Sequence, residues 1–292
     1  MMNRVFVVLL LSVFQLGFAQ TIQEKALLWE ISGKNLTSPS YLFGTIHIAC
    51  QGEVEMRPEI QKAWDATEQL VLEIDMDDPA MIMKLMQASL SKDGQTISEK
   101  LGEELSDQLN VLLEERMEAS LSQFDNLNLP TFLAQMSLLG LDCPMDFGYD
   151  LLLMQTAMQG QKEVLGLESI EAQIEVLLGG SDEDSVKAIR YFVEHFDELK
   201  QQTAAIMAMY QAQDIEQLYA ATVADFTNPN HSYGNIEDFL DNRNINWIPV
   251  IEKKIQQKPS FIAFGAAHLA GKNGVINLLK KAGYTLTPIF SE

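Results

Sequence analysis

The strongest constraint on this chain is a short stretch that occurs twice. Tyr41-Leu42-Phe43-Gly44-Thr45-Ile46-His47-Ile48-Ala49 returns near the other end as Ile262-Ala263-Phe264-Gly265-Ala266-Ala267-His268-Leu269-Ala270. Each copy reads as an apolar strand, then Phe-Gly-x-x-His, then an aliphatic residue and Ala. Each follows a Pro-Ser pair, Pro39-Ser40 and Pro259-Ser260, and the second copy has one more residue between that pair and its glycine. A buried strand that ends in glycine permits a sharp turn or the close approach of another group, because no Cβ stands in the way. Ligands of open α/β sheets collect at the carboxyl ends of the strands. Two such strands side by side therefore aim two imidazoles into one crevice, provided that the two ends of the chain pair in one sheet.

The intervening sequence fits that plan. Leu27 to Ser32 is apolar around Glu30 and runs into Gly33-Lys34-Asn35, which predicts a hairpin with the Tyr41 strand. A helix is expected around Pro58 to Thr67, then a buried strand over Gln69 to Asp75, with Glu73 and Asp75 on one face at their two-residue spacing. From about 78 to 244 the pattern is helical. Asp78 caps a helix that Pro79 opens; Leu105, Leu109, Leu112 and Leu113 line a second over Leu105 to Ala119; Pro130 starts a third. Asp182 to Gln201 reads as one long helix, with Val186, Ile189, Phe192, Val193 and Phe196 at helical spacing. The many methionines here, Met81, Met83, Met86, Met117, Met136, Met154, Met158, Met207 and Met209 among them, read as core filler or as an adaptable groove. One short strand, Glu163 to Glu168, interrupts the helices before a helix from Ser169. The end reads strand, Gly-x-x-His, helix over Gly274 to Ala282 and strand over Tyr284 to Phe290. The expected fold is α/β: a mixed central sheet built from the N- and C-terminal parts, with a large helical insertion over about 78–244.

Residues 1–19 read as a cleaved signal peptide, with Arg4 as the basic start, an apolar run from Val5 to Leu16, and small Gly17 and Ala19 before the cut. The run is short of the roughly 20 apolar residues of a membrane span, and no later segment reaches that length without charges. Residues 20–292 are expected to form a single exported domain, periplasmic or secreted, with no membrane span. Export places Cys50 and Cys143 where disulfides persist; a bridge between them and two unrelated buried thiols are both open, and neither spacing is that of a thiolate metal site. The formal charge of −21 argues against nucleic acid or an anionic membrane surface as a partner.

Chemistry concentrates on few side chains. Of the four histidines, His47 and His268 hold the matched positions, His195 lies between apolar helix positions and reads as structural or as a surface residue, and His231 in a loop is a weak candidate for substrate contact. Two neutral imidazoles plus a carboxylate suit a divalent cation. Glu73 is the preferred carboxylate because its charge ends an apolar strand; Glu168 ends its own strand in the same way, and Asp75 ranks lower. Arg243, just upstream of the second histidine strand, could hold a substrate carboxylate or a developing oxyanion, or form a surface salt bridge with Asp238 or Asp241.

With Ser40 to His47, Leu72-Glu73-Ile74-Asp75, Leu165 to Gln173, Arg243-Asn244 and Gly265 to Gly271 followed by Gly274, the chain resembles the TraB/GumN family, which is related to the Tiki metalloproteases. These motifs occur in the family's order and cover almost the whole mature chain. The resemblance implies an erythromycin-esterase/ChaN-like fold in which His47, His268 and Glu73 form the site of a divalent metal (Mn, Co or Zn), Glu73 serving as ligand or as general base, supported by Glu168 and Arg243. It further implies metal-dependent hydrolysis of a peptide or protein substrate. The alternatives it carries are a non-catalytic haem- or metal-binding protein and an esterase on the same scaffold.

Overall fold

A computed structural model describes residues 24–50, 52–143, 145–228 and 235–291; the expected signal peptide and His231 lie outside them. Eight strands are formed among the described residues: β1 (Leu28–Ser32), β2 (Ser40–Thr45), β3 (Ile48–Cys50), β4 (Gln69–Leu72), β5 (Met145–Phe147), β6 (Glu163–Gly166), β7 (Ser260–Gly265) and β8 (Thr285–Ile289). Six make one mixed sheet in the order β6-β4-β7-β2-β1-β8, and β3 pairs with β5 alone. The four strands from β6 to β2 are parallel, while β1 runs antiparallel to both β2 and β8. The expected hairpin is β1–β2, turned by Gly33, Lys34 and Asn35, all at positive φ.

The two ends of the chain do pair. β2 and β7 lie side by side at the centre, and all six residues of β2 are buried, as expected for a strand in the parallel part of a sheet. Their register runs from Tyr41 opposite Phe261 to Thr45 opposite Gly265, and Ser260 N–H donates to Ser40 Oγ at 3.0 Å. The Pro-Ser pairs are therefore level, and the extra residue of the second copy carries Gly265 one position beyond Gly44. The two glycines consequently do different work. A Cβ on Gly44 would meet Leu269 Cδ1 at 2.6 Å and Ala266 Cα at 3.0 Å, so its absence lets the second motif fold down onto the first strand. Gly265 instead opens towards the site.

The sheet core is built from Trp29, Phe43, Leu70, Phe261, Ile262 and Phe264 and is closed by Trp247, Ile251 and Leu279 from the covering helices. The helical part has its own apolar cluster, including Leu105, Leu109, Leu113, Phe132, Ile189 and Phe192. The leucine stripe expected on the helix Glu103–Met117 is present, with Leu112 partly buried.

Four expectations are corrected. The helix over 182–201 is two helices, Asp182–Glu194 and Phe196–Gln211, broken at His195 with φ −121° and ψ 24°; apolar spacing continues through the break because both helices face the same cluster. β4 stops at Leu72 and β6 at Gly166, so Glu73, Asp75 and Glu168 lie past the strand ends and the alternation rule no longer places Glu73 and Asp75 on one face. Besides the expected strand β6, at the edge of the central sheet, the insertion supplies a second one, β5, to the small sheet. Several methionines are not core filler: Met83, Met86, Met117 and Met158 are exposed, and the helix Pro79–Ser89 has no buried residue.

Candidate functional site

The site lies beyond the carboxyl ends of β2, β7, β4 and β6. His47 follows β2 and is exposed over 60 % of its side chain. Its Nδ1 lies 2.8 Å from Asp150 Oδ2, and its Nε2 lies 3.8 Å from Glu73 Oε1. Asp150 stands in the first turn of the helix Tyr149–Gly160. The chain around it is tied back to the His47 loop by Gly148 N–H to His47 O (2.8 Å) and Tyr149 N–H to Ile46 O (3.1 Å). The bridge left open by the sequence is formed: Cys50 and Cys143 are disulfide-bonded, their Cα atoms 5.5 Å apart.

Glu73 is 7 % exposed. Its Oε1 accepts from Gly265 N–H at 2.9 Å, and its Oε2 accepts from Arg243 Nη2 at 2.5 Å and Gln173 Nε2 at 3.0 Å. Arg243 opens the helix Asn242–Gln257 and is 6 % exposed, so it is a buried centre and not a surface partner of Asp238 or Asp241. Nε donates to Glu168; Nη2 donates to Glu73 and to Glu168 Oε1 (2.6 Å); Nη1 donates to Phe239 O (3.2 Å) and faces His268 Nε2 at 3.3 Å. A guanidinium has five N–H donors, and these contacts occupy all of them. Glu168 is completed by Trp247 Nε1–H at 3.1 Å.

His268 sits in the short turn after β7, 3 % exposed, its ring 4.5 Å from that of Trp247. Its Nδ1 is 2.6 Å from Asn244 Oδ1, and Asn244 spends its amide N–H on Asn273 O at 3.0 Å. Asn244 thus accepts, His268 donates from Nδ1, and Nε2 is left as the acceptor for Arg243.

Electrostatics follow from this wiring. Burial opposes ionisation of Glu73, but His47, Arg243 and the Gly265 N–H outweigh it and hold the carboxyl below the usual carboxylate range. Burial, with Arg243 and His47 adding to it against the pull of Glu73, pushes His268 down to about 3, so it is neutral. His47 is lowered by desolvation among its neighbours, yet Asp150 and Glu73 raise it to about 9; water at its open side moderates that attraction.

The expected site residues His47, Glu73, Glu168, Arg243 and His268 are thus brought into one contact network. Asp75 lies beside Asp77, with Oδ1 buried and without a hydrogen-bond partner, and His195 stacks on Tyr191 at 4.2 Å on the helical part. The sequence reading missed Asp150, Asn244 as the partner of His268, and Gln173. Asn244 and Gln173 stood inside the quoted motifs without a role, and Asp150 had no signal other than its place after Gly148.

As metal donors the residues fit in part. Among the described residues no group of three or more His, Cys, Asp or Glu is disposed to hold an ion. Yet Gly265 leaves a cradle: a Cβ there would stand 3.3 Å from His47 Nε2, 3.5 Å from Glu73 Oε1 and 3.7 Å from His268 Cδ2. An imidazole nitrogen and a carboxylate oxygen converge on that point, while His268 presents carbon to it and keeps Nε2 on Arg243.

Fold and site together define a mixed α/β protein with a buried carboxylate–arginine centre, flanked by two histidines, at the ends of its parallel strands. The chain belongs to the TraB/PrgY/gumN family, which matches residues 27–288. It is also similar to metalloprotease TIKI2 of Danio rerio, 29% identical over 115 residues that cover 34% of this chain and 22% of that protein. The chain therefore matches less than a quarter of that relative's length. No solved structure matches it significantly. Among the described residues no helix is long and apolar enough to cross a membrane.

Proposed function

We propose that the chain is an exported metal-dependent hydrolase acting on peptide or protein substrates. The observation that carries the proposal is the convergence of His47 Nε2 and Glu73 Oε1 over Gly265, in a chain similar to a metalloprotease. His47 and Glu73 would hold the divalent ion, which would replace the proton that Asp150 and Glu73 keep on the His47 ring; His268 would join them only by exchanging Arg243 for the ion. Such an ion supplies Lewis acidity and an activated water at neutral pH. Mn, Co and Zn all accept this mixed nitrogen and oxygen donor set.

The residues of the chain divide the remaining work. Glu73, whose two oxygens already accept from Gly265, Arg243 and Gln173, serves as ligand more readily than as general base. Arg243 keeps that carboxylate charged and fixed; with all its donors used, it has none left for the oxyanion that the sequence suggested. Glu168 accepts from Arg243 and Trp247 and so positions the arginine. The Cys50–Cys143 bridge supports the expected export, and the buried, neutral His268 supplies an imidazole that carries no competing charge.

Metal analysis of the purified mature protein, followed by digestion of a peptide library with and without chelator, tests the reading. Bound metal and chelator-sensitive cleavage are expected. A His47→Ala/His268→Ala double variant that cleaves at the normal rate would end it.

A further inference from the structure

We propose that Asp150 is the positioning residue for His47: it fixes the imidazole through Nδ1 so that Nε2 is the atom offered to the Gly265 cradle. This role rests on the metal reading above, but the geometry that carries it is independent of any ion. His47 is exposed over 60 % of its side chain, so packing alone does not select one orientation. His268, in contrast, is held by burial against Trp247 and by Asn244. Asp150 Oδ2 at 2.8 Å is what orients the His47 ring.

Asp150 is itself held for the task. Its other oxygen, Oδ1, accepts from Thr45 Oγ1 at 3.2 Å, and Thr45 is the buried last residue of β2, two positions before the histidine. The carboxylate therefore bridges the strand end and the ring that follows it. The segment bearing Asp150 is clamped to the His47 loop by the β3–β5 ladder, by the two backbone bonds from Gly148 and Tyr149, and by the disulfide. The clamp is close enough that a Cβ on Gly148 would fall 1.8 Å from Ile46 O. A carboxylate that accepts from one imidazole nitrogen fixes the tautomer and raises the donor strength of the other. Losing such a partner costs about 10–100-fold in metal affinity.

The test compares wild type with Asp150→Asn and with Thr45→Val, which removes only the hydroxyl that steadies Asp150. Zn²⁺ and Co²⁺ are each titrated against a chromophoric chelator, and ¹⁵N-labelled histidine is read by NMR in alkaline solution, where the His47 ring is neutral, to assign its protonated nitrogen. Thermal melts report folding. The expected result is an affinity loss of about 10–100-fold for Asp150→Asn and a smaller loss for Thr45→Val. The His47 Nδ1–H signal should be weakened in both, that of His268 unchanged, and the melts should be cooperative. If wild type binds neither ion, the metal reading fails, and the shift of the His47 tautomer in the metal-free variants still decides the role of Asp150. An unchanged tautomer in both variants, or unchanged metal affinity in Asp150→Asn, overturns the proposal.

Discussion

Replacing Gly265 by alanine separates the site from the fold. The backbone there, φ −48° and ψ 132°, is open to any residue, and the N–H that serves Glu73 is retained. By itself the exchange restricts the unfolded chain and favours folding by about 0.4–1 kcal/mol. Against this, the new methyl must sit 3.3 Å from His47 Nε2, a contact that an exposed imidazole can relieve by shifting a few tenths of an ångström. The net change in stability is therefore expected to stay within about 1 kcal/mol of wild type. The cost falls on function, because the methyl occupies the point on which Nε2 and Oε1 converge. Displacing a reacting constellation by about 1 Å costs about 100-fold, or about 2.7 kcal/mol at 1.36 kcal/mol per tenfold. Urea unfolding and Zn²⁺ titration on the same preparation, with chelator-sensitive peptide cleavage as a third reading, measure both sides. A Gly265→Ala protein that binds metal and cleaves as wild type does would show that the cradle is not where the chemistry happens.

Three further outcomes are expected. Arg243→Met leaves Glu73 and Glu168 without their shared cation and should cost about 3–5 kcal/mol in urea unfolding; a loss below about 1 kcal/mol would mean that the carboxylates are neutral or solvated. Lys162 is lowered to about 8, chiefly by burial, so between that value and the ordinary 10.5 the unfolded chain binds the extra proton. Stability should therefore gain a rising component with pH across that window, which Lys162→Met removes when melts are compared from pH 7.5 to 10.5. Breaking the Cys50–Cys143 bridge, which closes a separation of 93 residues, should lower stability by up to about 4–5 kcal/mol from loop entropy, read by unfolding the double serine variant.

The sequence reading was most successful where physical constraints were local or duplicated. The repeated Phe-Gly-x-x-His placed β2 and β7 at the centre of one sheet, because only buried parallel strands read as continuous apolar runs that end in glycine. The carboxylates Glu73 and Glu168 were legible as charges terminating such runs. What was not legible depends on three-dimensional neighbours. For Arg243 the sequence left open a substrate or oxyanion contact and a surface salt bridge with Asp238 or Asp241; the helix turns it inward, where Glu73 and Glu168 satisfy it. The His195 break could not be seen, because two helices packed on one cluster keep the same apolar spacing as one. Asp150 gave no periodic signal, since its role comes from a backbone clamp between segments about a hundred residues apart in sequence. The asymmetry of the two histidines also needed coordinates, although its source, the extra residue before Gly265, was already visible.

The place of β7 in the sheet has a consequence for the history of each molecule. This strand is made after β4 and after the whole helical insertion, yet it stands between β4 and β2, which cannot reach one another without it. A chain emerging amino end first therefore has the β1–β2 hairpin and the helices that precede β7 to build with, but no sheet centre and no gathering of His47 with Glu73 until residues 260–265 arrive. Pairings this distant in sequence are slow to close. A chain that lacks residues 260–265 accordingly has no assembled site, because the strand that joins the His47 side of the sheet to the Glu73 side is missing.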